Sequence, residues 1–195
     1  MEQSCIWMIH LGISAGNNPP DEINVIVEIP SGSSVKYELD KSSGAVFVDR
    51  FLSTATHYPF NYGFIPQTRE ADGDPLDVLV LSQLSVYPNC VIRSRPIGLL
   101  LTRDEKGRDA KVIAAPAKNI DPYYQEMEDL AQIPDFMRNQ IEHFFKHYKE
   151  LEPTKFVKIA GWESREEAKK RIIAAVRRFQ NSSEGGRARV SENAR

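Results

Sequence analysis

Three aspartates fall within the six residues Asp72-Gly-Asp-Pro-Leu-Asp77, kept apart by a glycine and a proline. Two carboxylates held about 5 Å apart, at an effective dielectric near ~20, repel by roughly 3 kcal/mol. A loop that gathers acids this densely calls for a compensating charge, and a hard, oxygen-liganded divalent cation of the Mg²⁺ type supplies it. The acidic calcium loop is a different pattern, with glycine sixth and glutamate twelfth. Counted from Asp72, those positions hold Asp77 and Gln83. Asp and Gly together also suit a solvated turn, so the weight falls on the other acids.

Those acids are Glu28, Glu38, Asp104 and Asp109, each expected at a strand face or a hairpin mouth. Lys36, Arg50, Lys111 and Lys149 fall near the same rim, and Tyr58, Tyr62 and Tyr148 add phenolic donors without adding negative charge. Singly, each acid reads as an exposed charge and each tyrosine as a packing residue. Together, carboxylates that hold metal ions, ringed by Lys, Arg and Tyr, suit a small polyanion that brings its own oxygens to the metals.

The elements that must position these residues follow from periodicity. Ordered structure is expected to begin near Asn24, where Val25, Val27 and Ile29 alternate with Ile26 and Glu28 as in a strand. A turn over Pro30–Ser34 leads to Val35, Tyr37 and Leu39, which leave Lys36 and Glu38 on one strand face. Ala45 to Phe51 reads as a strand. The aromatic, proline-broken stretch Thr56 to Pro66 reads as neither regular helix nor regular strand. Val78 to Leu81 is a continuous apolar run, expected to be a strand buried on both sides. Strands over Val91–Arg95, Ile97–Thr102 and Ala110–Ala115 follow, with Gly107 turning the hairpin between Asp104 and Asp109.

Two helices close the chain. The first spans Pro134 to Leu151, with an apolar stripe of Ile141, Phe144, Phe145, Tyr148 and Leu151. Ser164-Arg-Glu-Glu167 caps the second, which carries Ala168, Ile172, Val176 and Phe179 on one side. Beyond Gln180 the periodicity stops. The organisation expected is a partly flexible N-terminal extension over 1–23, a single domain over 24–180 and a disordered tail over 181–195. Many short strands followed by helices predict a compact, mainly β architecture, a β-barrel with helices packed on it.

Composition narrows the function classes. The 195 residues hold 25 Lys and Arg against 27 Asp and Glu, a balance that does not suit a broadly basic nucleic-acid binder. Two cysteines, Cys5 and Cys90, make neither a disulfide framework nor a four-thiolate zinc site, so a cytoplasmic setting is expected. No run approaches the apolar length of a membrane span. Ser4 to Ile13 lacks the basic lead of a signal peptide, and Met8 offers an alternative start. His143 and His147 share a helix face, but Phe144 stands where a zinc peptidase carries its glutamate, which favours a structural or subunit-contact role. There is no Gly-rich phosphate loop and no serine nucleophile elbow.

The blocks now in view resemble the family I soluble inorganic pyrophosphatases, in their short bacterial form. Besides Asp72-Gly-Asp-Pro-Leu-Asp77 they are Val27-Glu-Ile-Pro30, Lys36-Tyr-Glu38, Phe47-Val-Asp-Arg50, Tyr58-Pro-Phe-Asn-Tyr-Gly63, Asp104-Glu105 through Asp109-Ala-Lys111, His143 through Lys149, and Gly161-Trp162. The resemblance runs from about Asn24 to Gln180. It implies an α+β fold, a small closed five-stranded OB-type barrel flanked by two main α-helices. It implies hydrolysis of pyrophosphate to two orthophosphates with several Mg²⁺ ions per site, Mn²⁺ or Zn²⁺ serving as substitutes. By matching position, Asp72, Asp77, Asp104 and Asp109 would hold the tightest metal, Asp77 would bridge to a second, and Asp104 and Asp109 would share a further one with substrate. Glu38 matches a ligand to an additional ion and Glu28 a supporting acid. Asp74 would take the proton from the attacking water. Lys36, Arg50, Tyr58, Lys111, Tyr148 and Lys149 match phosphate ligands, and Tyr62 lines the site. The resemblance also implies a homohexamer built as a dimer of trimers, with His143 and His147 near its contacts. The other readings open to these residues are a broader metal phosphohydrolase acting on nucleotides and a non-catalytic OB-type module for single-stranded nucleic acid.

Overall fold

The structure, a computed structural model, describes residues 12–40 and 42–192, with side chains to 182. The alternative start at Met8, Cys5 and the end of the chain at 193–195 lie outside the described residues. The fold is mainly β, with two α-helices. The strands are β1 (Ile23–Ile29), β2 (Val35–Leu39), β3 (Val46–Phe51), β4 (Asn61–Phe64), β5 (Asp77–Val80), β6 (Val91–Asp104), β7 (Gly107–Pro116) and β8 (Val157–Glu163). The helices are α1 (Asp135–His147) and α2 (Arg165–Glu192). Among the described residues no helix is long and apolar enough to cross a membrane.

Six strands form one sheet in the order β1-β4-β5-β7-β6-β8, and β1 also pairs with β6. The remaining two strands, β2 and β3, form a separate antiparallel hairpin. In the main sheet β5 and β7 are parallel, and the other pairings are antiparallel.

The strands at the centre are apolar on both faces because both faces are covered. Val78, Val80, Val112 and Ala114 join a core that includes Ala168, Ile172 and Ala175 of α2. Their neighbours Leu79, Leu81, Ile113 and Ala115 point the other way, into a core with Ile141, Phe144 and Phe145 of α1. Period-two alternation thus hands successive side chains to opposite layers. Full burial of a large aliphatic or aromatic side chain contributes roughly 1.5–3 kcal/mol, so these two layers supply the main cohesion.

Several boundaries depart from the sequence expectation. The stretch expected to be irregular between Thr56 and Pro66 contains β4, whose four residues are all buried. Gly63 explains how such a segment pairs: a Cβ there would stand 1.9 Å from the Ile26 carbonyl oxygen, so only glycine lets β4 lie against β1. The two strands expected on either side of Pro96 are one long strand, with the register shift absorbed between Pro96 and Gly98. Strand β8 was not anticipated; its half-exposed pattern and the positive φ of 141° at Gly161 weaken the alternation signal. Leu151, expected on the α1 stripe, lies past the helix and is 64% exposed. The expected end of the second helix at Gln180 is also corrected, because α2 continues to Glu192. Extending a helix that is already nucleated and packed needs little apolar periodicity.

Candidate active site

Five pieces of chain meet at a cleft of about 550 Å³. They are the end of β1, the β2–β3 hairpin, β4 with its loop to β5, the β6–β7 hairpin and the turn after α1, and α2 adds Arg171 at the edge. All the acids singled out from sequence line it: Glu28, Glu38, Asp72, Asp74, Asp77, Asp104 and Asp109. So do Lys36, Arg50, Tyr62, Lys111, Tyr148 and Lys149. Tyr58 is the exception. It is 2% exposed and stands behind the wall, its ring 5.5 Å from that of Tyr62 and 6.4 Å from that of Tyr148.

Local structure sets each group. In the acid loop the Asp74 backbone N–H donates to Asp72 Oδ1 at 3.0 Å, and Gly73 takes a φ of 97° that a residue with a side chain rarely adopts. Asp77 opens β5, and the parallel register places it beside Lys111 of β7. Lys111 Nζ lies 2.8 Å from Asp77 Oδ2 and 2.8 Å from Asp109 Oδ2. The Tyr62 hydroxyl donates to that same Asp77 oxygen. In the β6–β7 hairpin Asp104 pairs with Gly107 and Thr102 with Asp109, so Asp104 and Asp109 project on one face, two rungs apart. Lys149 Nζ reaches Asp104 Oδ2 at 3.0 Å and Glu105 Oε1 at 3.5 Å. On the β2–β3 hairpin Lys36 pairs with Glu38 and lies 3.3 Å from Asp49.

Electrostatics follow from this crowding. Burial pushes the Glu28 carboxyl up to about 7, against the Leu39 N–H that donates to it at 2.8 Å. Burial pulls the Lys111 ammonium down, but Asp77, Tyr62 and Asp109 outweigh it and hold its pKa well above the ordinary lysine value. Burial opposes the Asp104 carboxylate too, yet Lys149 and the Lys106 and Gly107 N–H groups hold its pKa below the usual range. Burial raises Tyr62 and Tyr58 well above the ordinary phenol, and Tyr148 as well. The three phenols therefore remain protonated donors at neutral pH.

Among the described residues no three His, Cys, Asp or Glu side chains converge at metal-ligand distance. Lysines stand between the acids instead: Lys111 neutralises Asp77 and Asp109 together, and Lys149 neutralises Asp104. A site that already holds two carboxylates around one cationic centre, with only oxygen donors, fits a hard divalent ion.

Sequence reasoning did not single out Asp49, Glu70, Glu105, Lys155 and Arg171, which also line the cleft. Asp49 and Glu105 sit inside blocks already noted, next to Arg50 and Asp104. Arg171 carried no local signal. His143 and His147 lie outside the cleft on α1, ring centroids 4.5 Å apart, with His147 Nδ1 2.6 Å from Glu150 Oε2.

A family model described as inorganic pyrophosphatase matches residues 25–180. The inorganic pyrophosphatase of Sulfolobus acidocaldarius is 54% identical over 166 residues, which are 85% of this chain and 96% of that protein. That of Aquifex pyrophilus is 52% identical over 172 residues, 88% of this chain and 96% of that protein. Among solved structures, an inorganic phosphatase from Anaplasma phagocytophilum superposes with a TM-score of 0.84 at 47% identity, covering 86% of this chain and 99% of that one. The inorganic pyrophosphatase from Thermus thermophilus gives 0.83 at 42% identity, covering 86% and 97%. Likeness of this extent, in sequence and in fold, makes the chain a member of the family I inorganic pyrophosphatases, metal-dependent enzymes that hydrolyse pyrophosphate to two orthophosphates.

Proposed function

We propose that Asp74 is the general base of this hydrolysis and that magnesium is the activating metal. One observation carries the reading: the acid loop and the lysine- and tyrosine-bearing elements face one another across a single cleft. Asp72, Asp77, Asp104, Asp109 and Glu38 are the ligands proposed for Mg²⁺, with Mn²⁺ or Zn²⁺ as substitutes and Glu28 in support. When bound, the metal supplies positive charge for the phosphate oxygens and lowers the pKa of water. Asp74 accepts the proton of the attacking water on its carboxylate. The water oxygen bonds to one phosphorus, the bridging P–O bond breaks, and its electron pair leaves with the second phosphate. Lys36, Arg50, Lys111 and Lys149 neutralise that leaving group, and Tyr148 donates a hydrogen bond. Lys111, which bonds Asp77 and Asp109, would be free to meet phosphate where those carboxylates hold the metal. Tyr62 orients Asp77. Tyr58, matched to the phosphate ligands by resemblance, is given a supporting part instead, because it packs behind the wall against Tyr62 and Tyr148.

The circuit of pairings from β1 through β4, β5, β7 and β6 back to β1 supports a closed five-stranded OB-type barrel. The catalytic domain is placed at 24–180, with 1–23 as an extension and 181–195 as a tail. A homohexamer, arranged as a dimer of trimers, agrees with the position of His143 and His147 outside the cleft. A cytoplasmic location agrees with the exposed free thiol of Cys90.

The test is phosphate release by Asp74→Asn in saturating Mg²⁺. Turnover is expected to fall at least a hundredfold with the circular dichroism spectrum unchanged. Release at the wild-type rate removes Asp74 from this role. ATP in place of pyrophosphate distinguishes the small substrate from a nucleotide, and pyrophosphate is expected to be strongly preferred.

A further inference from the structure

Glu70 and Arg171 stand 101 residues apart in the chain and meet in a two-pronged ion pair. Arg171 Nε donates to Glu70 Oε1 at 2.9 Å, and Nη2 donates to Oε2 at 2.7 Å. Arg178, also on α2, brings Nη1 to 3.7 Å from the same Oε2. The Glu70 side chain is 12% exposed, so its charge depends on these partners.

The pair is fastened to the acid loop by the backbone. The Glu70 N–H donates to the Asp74 carbonyl at 2.7 Å, and the Gly73 N–H donates to the Glu70 carbonyl at 3.2 Å. One residue earlier, the Arg69 N–H donates to the Ala175 carbonyl of α2 at 3.0 Å. The Thr68 hydroxyl accepts from the Leu76 N–H at 2.9 Å and closes the base of the loop. Asp72 and Asp74 therefore sit on a turn whose first residue is clamped to a helix of the core.

We propose that Glu70 and Arg171 are positioning residues for hydrolysis: their fork locks the 70–77 loop onto α2 and so fixes where Asp72 and Asp74 point. The proposal rests on the roles given above to those two aspartates. The electrostatic argument is direct. Asp72, Asp74 and Asp77 repel one another, and an unpaired Glu70 would add a fourth charge at the root of the same loop. Arginine cancels that charge from the helix side with two bonds of fixed geometry. A lysine would keep the charge and lose the fork. Catalysis is sensitive to such placement, since displacing a reacting group by about 1 Å costs up to a hundredfold in rate.

Arg171 also lines the cleft, so the rival role is a direct bond to phosphate. Arg171→Lys and Glu70→Gln in the full chain separate the two. Amide hydrogen exchange is measured without metal, and kcat and KM with saturating Mg²⁺. Exchange at Glu70, Gly73 and Asp74 is expected to quicken about tenfold or more in both variants, while Val112 and Ile113 of β7 keep their protection. The kcat is expected to fall about tenfold, with KM for pyrophosphate changed less than twofold. The double variant is expected to match the worse single one, because both break one link. Unchanged loop exchange overturns the proposal, as does a rise in KM alone, which would mark a phosphate contact. Loss of protection throughout β7 overturns it as well, leaving the pair a general stabiliser. Wild-type turnover in Asp74→Asn would remove the base assignment yet leave the loop-exchange result standing, so the two failures are distinguishable.

Discussion

Lys149 and Asp104 meet at 3.0 Å, the lysine just past the end of α1 and the aspartate closing β6. Both side chains are largely covered, so the contact is a charge-assisted bond only partly reached by water. Replacing the lysine by methionine keeps the stem and removes the charge. The expected result for Lys149→Met is a fall in kcat/KM of about 10- to 100-fold, the equivalent of ~1.5–3 kcal/mol for a bond to a charged group. Steady-state phosphate release checks it. An unchanged kcat/KM would show that this ammonium does not meet substrate.

The lysines that separate the acids make cation binding a competition. With the proposed ligands, Asp77 and Asp109 would have to give up Lys111 to hold Mg²⁺, and the net gain would appear as stability. At a free concentration of about 100 Kd the melting temperature should rise by the equivalent of ~2.7 kcal/mol. Chelation should return it and abolish turnover reversibly. Differential scanning calorimetry of wild type and Asp77→Ala, with and without Mg²⁺, reads the effect. An equal rise in Asp77→Ala would place the ion elsewhere.

Tyr58 and Tyr148 should respond unequally to loss of the hydroxyl. Tyr148 lines the cleft, whereas Tyr58 is packed behind it against Phe144, with ring centroids 4.6 Å apart. Tyr148→Phe is expected to lower kcat/KM about tenfold and Tyr58→Phe by less than about threefold, in keeping with one hydrogen bond lost at the site and none. Kinetics of the pair decide it, and a larger effect at Tyr58 would give its hydroxyl a direct part.

Glu28 predicts a pH dependence for the metal-free protein. Burial raises its carboxyl from 4.5 to about 7, so the folded state holds this proton more tightly than the unfolded chain. The associated stability is complete below pH 4.5 and declines as pH rises toward 7. Allowing for partial exposure, the loss is on the order of 2 kcal/mol. Glu28→Gln stays neutral, and its side-chain oxygen can still accept the Leu39 N–H. In EDTA the variant should match wild type at pH 4 and exceed it at pH 8 in urea denaturation. A constant difference at both pH values would rule out this titration as the cause.

Much of the architecture is legible because it follows from short-range pattern. The Lys36–Glu38 pair follows from strand alternation, and burial of β5 on both sides follows from an unbroken apolar run. The features that escape are set by contacts distant in sequence. β4 has no alternation because both its faces are covered, and its pairing depends on a glycine that fits under the Ile26 carbonyl. β8 gains strand character from β6, to which it pairs over Leu99–Asp104, more than from its own residues. The acids of the cleft could be read from their density. Arg171 could not, because its partner Glu70 lies over a hundred residues away.

The adjacency of Asp77 and Lys111 is written into the parallel pairing of β5 with β7, at the centre of the sheet. A slip of one residue would turn one of them toward the opposite layer. Asp77 and Lys111 meet only once β5 and β7 have paired in register, so the return of turnover is expected to report on completion of the sheet's centre. Refolding traces followed by turnover and by core fluorescence should rise together.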